Sequence, residues 1–302
     1  MSLVHLADRA VIRAEGPDAE ALLQNTLTLD LNQLAEGEAR PGALLTPQGK
    51  IMFDFVISRA GEQAFRLDCR RDIAEDFIRR LTFLRVRAKV IFSLPDQEVV
   101  GAGWQTDSSA SQTDSASSRA DSTGGETDSA FLADCRFPEG VGVFRIYAPK
   151  IEANASVSEW DRLRIEHGVA ESGTDYELQD AFPHDVLFDF NGGVGLRKGC
   201  YVGQEVVSRM HHRRTARRRV VIVEGALPLS PDEREITAGS KPLGQLGTIV
   251  DTHALAIVRI DRVAEAKAAG ETILAGGVEL SLRVPAWADF SLEPVETSAE
   301  GN

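Results

Sequence analysis

Asn191-Gly192-Gly193-Val194-Gly195-Leu196-Arg197-Lys198-Gly199-Cys200-Tyr201-Val202-Gly203-Gln204-Glu205 is the most distinctive run in this chain. Five glycines fall within residues 192–204. Without a Cβ the backbone there turns sharply and approaches a neighbour or a ligand closely. The run is not a phosphate loop, because it has neither the dinucleotide glycine spacing nor a GKS or GKT ending. Cys200 follows Arg197 and Lys198, and nearby cations favour a thiolate over a thiol. A lone cysteine is equally at home as a small buried hydrophobe. His184, His211 and His212 are candidate partners for it by proximity alone.

Residues 197–219 hold eight basic side chains and one acid, Glu205, in a chain of net charge −13. A cationic patch on an acidic protein is therefore expected. For Arg213, Arg214, Arg217, Arg218 and Arg219 a solvated face ranks first, attraction of an anionic ligand second and RNA contact third. No aromatic residue lies between Tyr201 and Arg219 to stack on bases, so nucleic acid is not an expected partner. Cys69, Cys135 and Cys200 are few and far apart, which argues against a disulfide framework and for a reducing, cytoplasmic home. No apolar run reaches the roughly 18 residues of a membrane helix, and Met1 to Ala10 lacks the pattern of a signal peptide.

Upstream, Gly16-Pro17-Asp18 opens a short helix, and Thr46-Pro47-Gln48-Gly49 is the turn of a hairpin spanning 44–57. Phe53 and Phe55 share the inward face of its second strand, while Asp54 shares the other with Met52 and Val56. Asp54 either points into a cleft or is solvated. Asp72 and Glu75 read as a capping box for a helix to Leu84, and Val86 to Phe92 as a strand. Residues 105–129 are almost entirely Ser, Thr, Asp, Ala and Gly, with five acids against Arg119, and are expected to be a disordered insertion. After it come a strand at 141–147 and a helix capped by Ser158 and Asp161, carrying Val157, Trp160 and Leu163 inward and closed by Gly168. Glu166 lies near that helix's C-terminal end, where the dipole disfavours a carboxylate. Arg162, four residues earlier, is its simplest partner. From Arg219 onward short strands dominate, with a turn at 251–253 and one helix capped by Asp261. A small β-barrel is the natural reading.

Lys198-Gly199-Cys200-Tyr201-Val202-Gly203-Gln204-Glu205 matches the signature K-G-C-[FY]-x-G-Q-E of the YgfZ family, relatives of the glycine cleavage T-protein, an aminomethyltransferase. The resemblance extends to the hairpin from Gly49-Lys50 to Asp54, to Phe83 through Lys89, to Arg164-Ile165-Glu166-His167-Gly168 and to the strands after Glu205. It implies an α+β fold in which domains form a ring around a central channel, with a C-terminal β-barrel. The expected layout is an N-terminal α+β part at 1–104, the insertion at 105–129, a second α+β part at 130–212, a barrel at 213–290 and an acidic tail at 291–302.

The function the resemblance implies is a tetrahydrofolate-binding accessory protein for assembly or repair of iron-sulfur clusters in client enzymes, a tRNA-modifying one among them. Arg164-x-Glu166-x-Gly168 matches the T-protein segment whose glutamate holds the pterin, and a carboxylate suits two parallel N–H donors. Asp54 would line the channel near the reactive end, and Arg197 or Lys198 would meet anionic parts of the ligand, with Tyr201 and Gln204 beside them. Cys200 would be the reactive or cluster-contacting thiol, with Lys198 and Asp54 as further catalytic candidates. The alternative is a folate-dependent aminomethyltransferase. T-proteins carry two adjacent acids where this chain has Phe53-Asp54, and they lack the cysteine signature.

Overall fold

The computed structural model describes residues 1–105, 130–213 and 215–293. The expected insertion after Gln105 and the acidic tail after Glu293 fall outside them. In chain order the N-terminal part contains β1 (Ser2–His5), β2 (Arg9–Glu15), α1 (Ala19–Thr26), β3 (Glu38–Leu45), β4 (Ile51–Gly61), β5 (Ala64–Arg70), α2 (Ala74–Arg85), β6 (Ile91–Ser93) and β7 (Val99–Trp104). β8 (Ala130–Asp134), β9 (Val143–Ala148), α3 (Val157–His167) and α4 (Gln204–Arg213) follow. The chain ends in β10 (Arg218–Gly225), β11 (Glu235–Ala238), β12 (Lys241–Val250), β13 (His253–Arg259), α5 (Ile260–Ala268), β14 (Ile273–Ala275) and β15 (Val278–Arg283).

The expected hairpin forms with Ala43 opposite Asp54 and Leu44 opposite Phe53. Its alternation works as anticipated: the Phe53 and Phe55 rings stack on Phe77 of α2 at 4.8 and 5.5 Å. Other local readings shift. Asp72 pairs with Arg70 instead of capping α2, which starts from Ile73 without a side-chain cap. Val86 ends that helix at φ 49° and is exposed, so the strand expected from 86 begins only at Ile91. The capping box of α3 is Ser156 with Glu159, two residues before the expected pair, and Val157 faces solvent. Gly168 closes α3 in the left-handed region as anticipated. α5 starts at Ile260, with Asp261 bonded to Arg259 rather than capping.

Nine strands form one sheet in the order β1-β7-β9-β8-β3-β4-β5-β2-β6. β1 pairs with β7, and β3 runs parallel to β8, so this sheet crosses the boundary expected between residues 104 and 130. The strands after residue 217 close a barrel, β10-β13-β12-β11-β14-β15, sealed by β10 against β15. Between sheet and barrel lies a shared apolar core: Leu45 and Ile51 from the hairpin, Ile165 from α3, Leu187 and Tyr201, and Val220 and Ile257 from the barrel.

A buried ionic network sits beside that core. Arg145 of β9 is fully buried, its Nε 3.1 Å from Asp68 and 3.6 Å from Asp134, with its guanidinium over the Trp160 ring. Arg9 reaches Asp68 at 2.5 Å, and Arg136 reaches Asp134 at 2.8 Å and Glu171 at 2.9 Å. Arg164 of α3 contacts Asp161, Asp175 and Thr248 of β12, carrying the network from the sheet to the barrel. Burial alone would raise the Glu171 carboxyl, but Arg164, Arg136, Arg9 and Arg145 hold it well below the usual glutamate range. Removing one partner of such a network strands the rest without water. Glu171→Gln is therefore expected to lower the unfolding free energy by about 3 kcal/mol at neutral pH. Because the folded pKa is depressed, this stabilisation is present above the ordinary glutamate pKa of about 4.3 and fades as pH falls below it. Denaturant melts of both proteins should then converge in acid; a gap independent of pH would count against the ionic origin.

Candidate functional site

The glycine-dense turn approaches the N-terminal part of its own chain. Gly203 has φ +81°, and a Cβ there would lie 2.7 Å from the Thr46 carbonyl oxygen and 3.1 Å from Cα of Gly49. Gly49, the turn residue of the hairpin, has no more room, since its Cβ would meet Val206 at 2.8 Å. Gly195 donates its N–H to the Thr28 carbonyl, and Thr28 Oγ1 donates to the Gly193 carbonyl. Close backbone approach, read from the glycines as serving a neighbour or a ligand, here serves a neighbour at Gly193, Gly195 and Gly203.

Lys198 turns inward. Its Nζ donates to the carbonyls of Leu27 and Leu29 at 2.7 Å each, and lies 5.2 Å from the centre of the Tyr201 ring. Burial pushes its pKa down to about 8. Tyr201 is itself buried in the shared core, and burial pushes its hydroxyl up to about 12. Both residues, expected to meet a ligand, hold the loop in place. The ammonium gives two of its three N–H donors to these carbonyl oxygens. Cys200 is exposed between these anchors and Arg197 just before them, Gln204 is half-buried at the start of α4, and nothing lies within 4 Å of a Cβ placed on Gly199. The other thiols differ: burial pushes Cys69 up to about 12 and Cys135 up to about 11. Cys200 is the cysteine that the fold presents to solvent.

Asp54 is buried rather than solvated. Its carboxylate accepts from Ser172 Oγ at 2.6 Å and from the Tyr176 hydroxyl at 2.9 Å. These partners lie more than 115 residues away in sequence, and only the long-range fold reveals them. Glu166 is exposed beside the barrel: Arg283 donates to its backbone carbonyl, and Trp287 Nε1 donates to the carbonyl of His167 at 2.7 Å. Arg162 lies 3.7 Å from Asp251, so the helical pair expected with Glu166 does not form. A cleft of about 790 Å³ opens between residues 173–180 and β12 and β13, bordered by Tyr176, Arg218, Arg234 and Arg262. None of the residues predicted for the site lines it; Asp54 stands directly behind Tyr176. Glu166 and Cys200 are accordingly not brought together in that cleft.

The arginine run divides. Arg213 and Arg217 are exposed, Arg218 bonds Asp180, and Arg219 is buried, gripping Asp189 through both terminal nitrogens. Arg214 lies outside the described residues. His184 is buried close to Asp189 and His211, and burial pushes its pKa down to about 4.

Comparison with known proteins adds to this geometry. Residues 217–290 match the family model of the CAF17 C-terminal beta-barrel domain. That is the closed barrel described above. Among curated proteins, the chain is similar to proteins named iron-sulfur cluster assembly factor IBA57 homolog, mitochondrial. The one from Pyricularia oryzae is 30% identical over 231 residues, covering 72% of this chain and 55% of the relative. Those from Coccidioides immitis, 26% over 244 residues, and Mycosarcoma maydis, 28% over 254 residues, cover 73% and 78% of this chain and 56% and 60% of themselves. The chain thus spans 55% to 60% of the length of these relatives. They support a family related to the one the signature suggests, though none bears the YgfZ name. They also overturn the cytoplasmic expectation: these relatives are named as mitochondrial. Cysteine usage separates reducing from oxidising surroundings but does not distinguish between reducing compartments.

The crystal structure of the glycine cleavage system aminomethyltransferase T from Bartonella henselae aligns with 95% of this chain and 86% of its own at a TM-score of 0.70. At 16% identity this likeness establishes the fold, as the sequence led us to expect. The anchoring role of Lys198 has a direct check. Lys198→Met keeps the aliphatic stem and removes the donors, leaving two buried carbonyls unpaired, and should lower the unfolding free energy by roughly 2–4 kcal/mol. Calorimetry without any ligand reads it, and an unchanged melting temperature would contradict the assignment.

Proposed function

We propose that this protein is an iron-sulfur cluster assembly factor that offers the Cys200 thiolate to a cluster shared with a partner protein. The observation that carries this reading is the exposure of Cys200 on a loop pinned on either side by buried Lys198 and Tyr201. A thiol that must meet a cluster held by another protein has to project from a rigid support, and a single cysteine supplies only one of the four ligands a cluster usually takes. The names of the relatives agree with such a role. In a strain lacking the protein, Cys200→Ala is expected to leave iron-sulfur enzyme activity near the level of the deletion while Cys135→Ala restores it. Full restoration by Cys200→Ala would remove the thiol from the mechanism.

Tetrahydrofolate is the ligand proposed alongside. Glu166 supports it, because its exposed carboxylate has no ion-pair partner among the described residues and is open to two parallel donors from a pterin. The aminomethyltransferase alternative has less support. Phe53 stands where the first acid of the pair would be, and its ring is locked against Phe77 in the core. Trp287 packs against the same end of α3 and serves as a local reporter. Tetrahydrofolate should change the tryptophan fluorescence saturably, and Glu166→Ala should weaken the affinity read from that response by roughly a hundredfold or more, the effect of losing two charge-assisted hydrogen bonds. An identical titration curve for the variant would exclude Glu166 as the anchor.

A further inference from the structure

His184 is 1% exposed, and neither Nδ1 nor Nε2 has a hydrogen-bond partner among the described residues. A neutral imidazole carries one donor and one acceptor, and folded proteins rarely bury such a ring with both unmet. What faces it is informative. One ligand atom each from His184, Asp189 and His211 lie within 4.8 Å of one another, and the two imidazole rings are 6.3 Å apart, tilted by 35°. Asp189 is held by Arg219 at 2.8 and 3.0 Å, and the same guanidinium donates to the backbone carbonyl of His184 at 2.6 Å. Arg219 in turn lies against the rings of Phe190 and Phe290 at 5.0 and 5.7 Å. A buried arginine thus fixes both the carboxylate and the segment carrying the histidine.

We propose that His184, Asp189 and His211 form a binding site for a divalent first-row transition ion. Two imidazole nitrogens and one carboxylate oxygen suit Zn²⁺ or Fe²⁺, whereas Mg²⁺ and Ca²⁺ call for oxygen ligands throughout. Metal–nitrogen bonds of about 2.0–2.1 Å put neighbouring tetrahedral donors about 3.3 Å apart, so the cluster has to close by roughly 1 Å or more. His211 is exposed in the last turn of α4, and its side chain is the part with room to move. Three protein ligands leave a coordination position open, as in sites that exchange water or an incoming ligand. Arg219 keeps the carboxylate oriented, and its positive charge limits the affinity for a cation, which favours a metal that comes and goes. The site uses neither Cys200 nor Glu166 and stands or falls separately from the function proposed above.

The test is titration of the purified full chain with Co²⁺, followed by its ligand-field absorption. One ion per chain is expected, with a nitrogen and oxygen spectrum and no sulfur charge-transfer band. His211→Ala, on the surface of α4, should weaken binding by roughly tenfold or more, and so should His184→Gln. His212→Ala and Cys200→Ser should bind as the parent does. The proposal is overturned if Co²⁺ does not saturate, if His211→Ala binds as tightly as the parent, or if binding disappears with Cys200→Ser. Should His184→Gln not fold, the His211→Ala result decides alone.

Discussion

A network of buried charges fixes how the parts of this molecule face one another. Arg145 is surrounded by Asp68, Asp134 and Glu171, and Arg164 extends the same network to Asp175 and Thr248. Each member is tolerable inside the protein only while the others are in place. The contributors come from β2, β5, β8, β9, α3 and β12, so the network spans sheet, helix and barrel. Apolar contacts in the shared core supply burial, but they are non-directional. Ion pairs of defined geometry set the orientation in which that burial occurs.

On this frame the signature loop is an inserted wedge. Thr28 and the Leu27 and Leu29 carbonyls receive it from one side, and the hairpin turn at 46–49 from the other. The chemistry of the loop follows from the division of its side chains: Lys198 and Tyr201 face inward, while Arg197 and Cys200 face outward. A cation that would otherwise sit beside the thiol is committed to backbone oxygens. Exposure and rigid support therefore distinguish Cys200 more than its neighbouring charges do.

The barrel, the hairpin and the α3 terminus were legible because each is set by local rules: alternation in β15, turn chemistry at 46–49 and a left-handed glycine at 168. The sheet was not, since its seam pairs β1 with β7 and β3 with β8, registers that depend on contacts about 95 residues apart. Side-chain partnerships followed the same divide. Asp54 was visible as an odd acid on a strand, but nothing near it in sequence announces Ser172 or Tyr176. His184 and His211 were noted beside the cysteine, whereas Asp189, which the fold sets with them, looks like any surface acid in a loop. The expected Val86 strand failed because period-two hydrophobicity over so few residues also fits an exposed helix end.

The contact between Gly49 and Gly203 carries a consequence for how such chains diverge. A large and a small side chain in contact can exchange volume, one shrinking as the other grows, and the interface survives the trade. Two residues that already lack a Cβ have nothing to exchange. An added methyl at Gly203 meets the Thr46 carbonyl oxygen, which is main chain and cannot shrink, whereas one at Gly49 meets the side chain of Val206. At Gly203 no second substitution can clear that oxygen, so drift there is closed in a way that a contact between side chains never is.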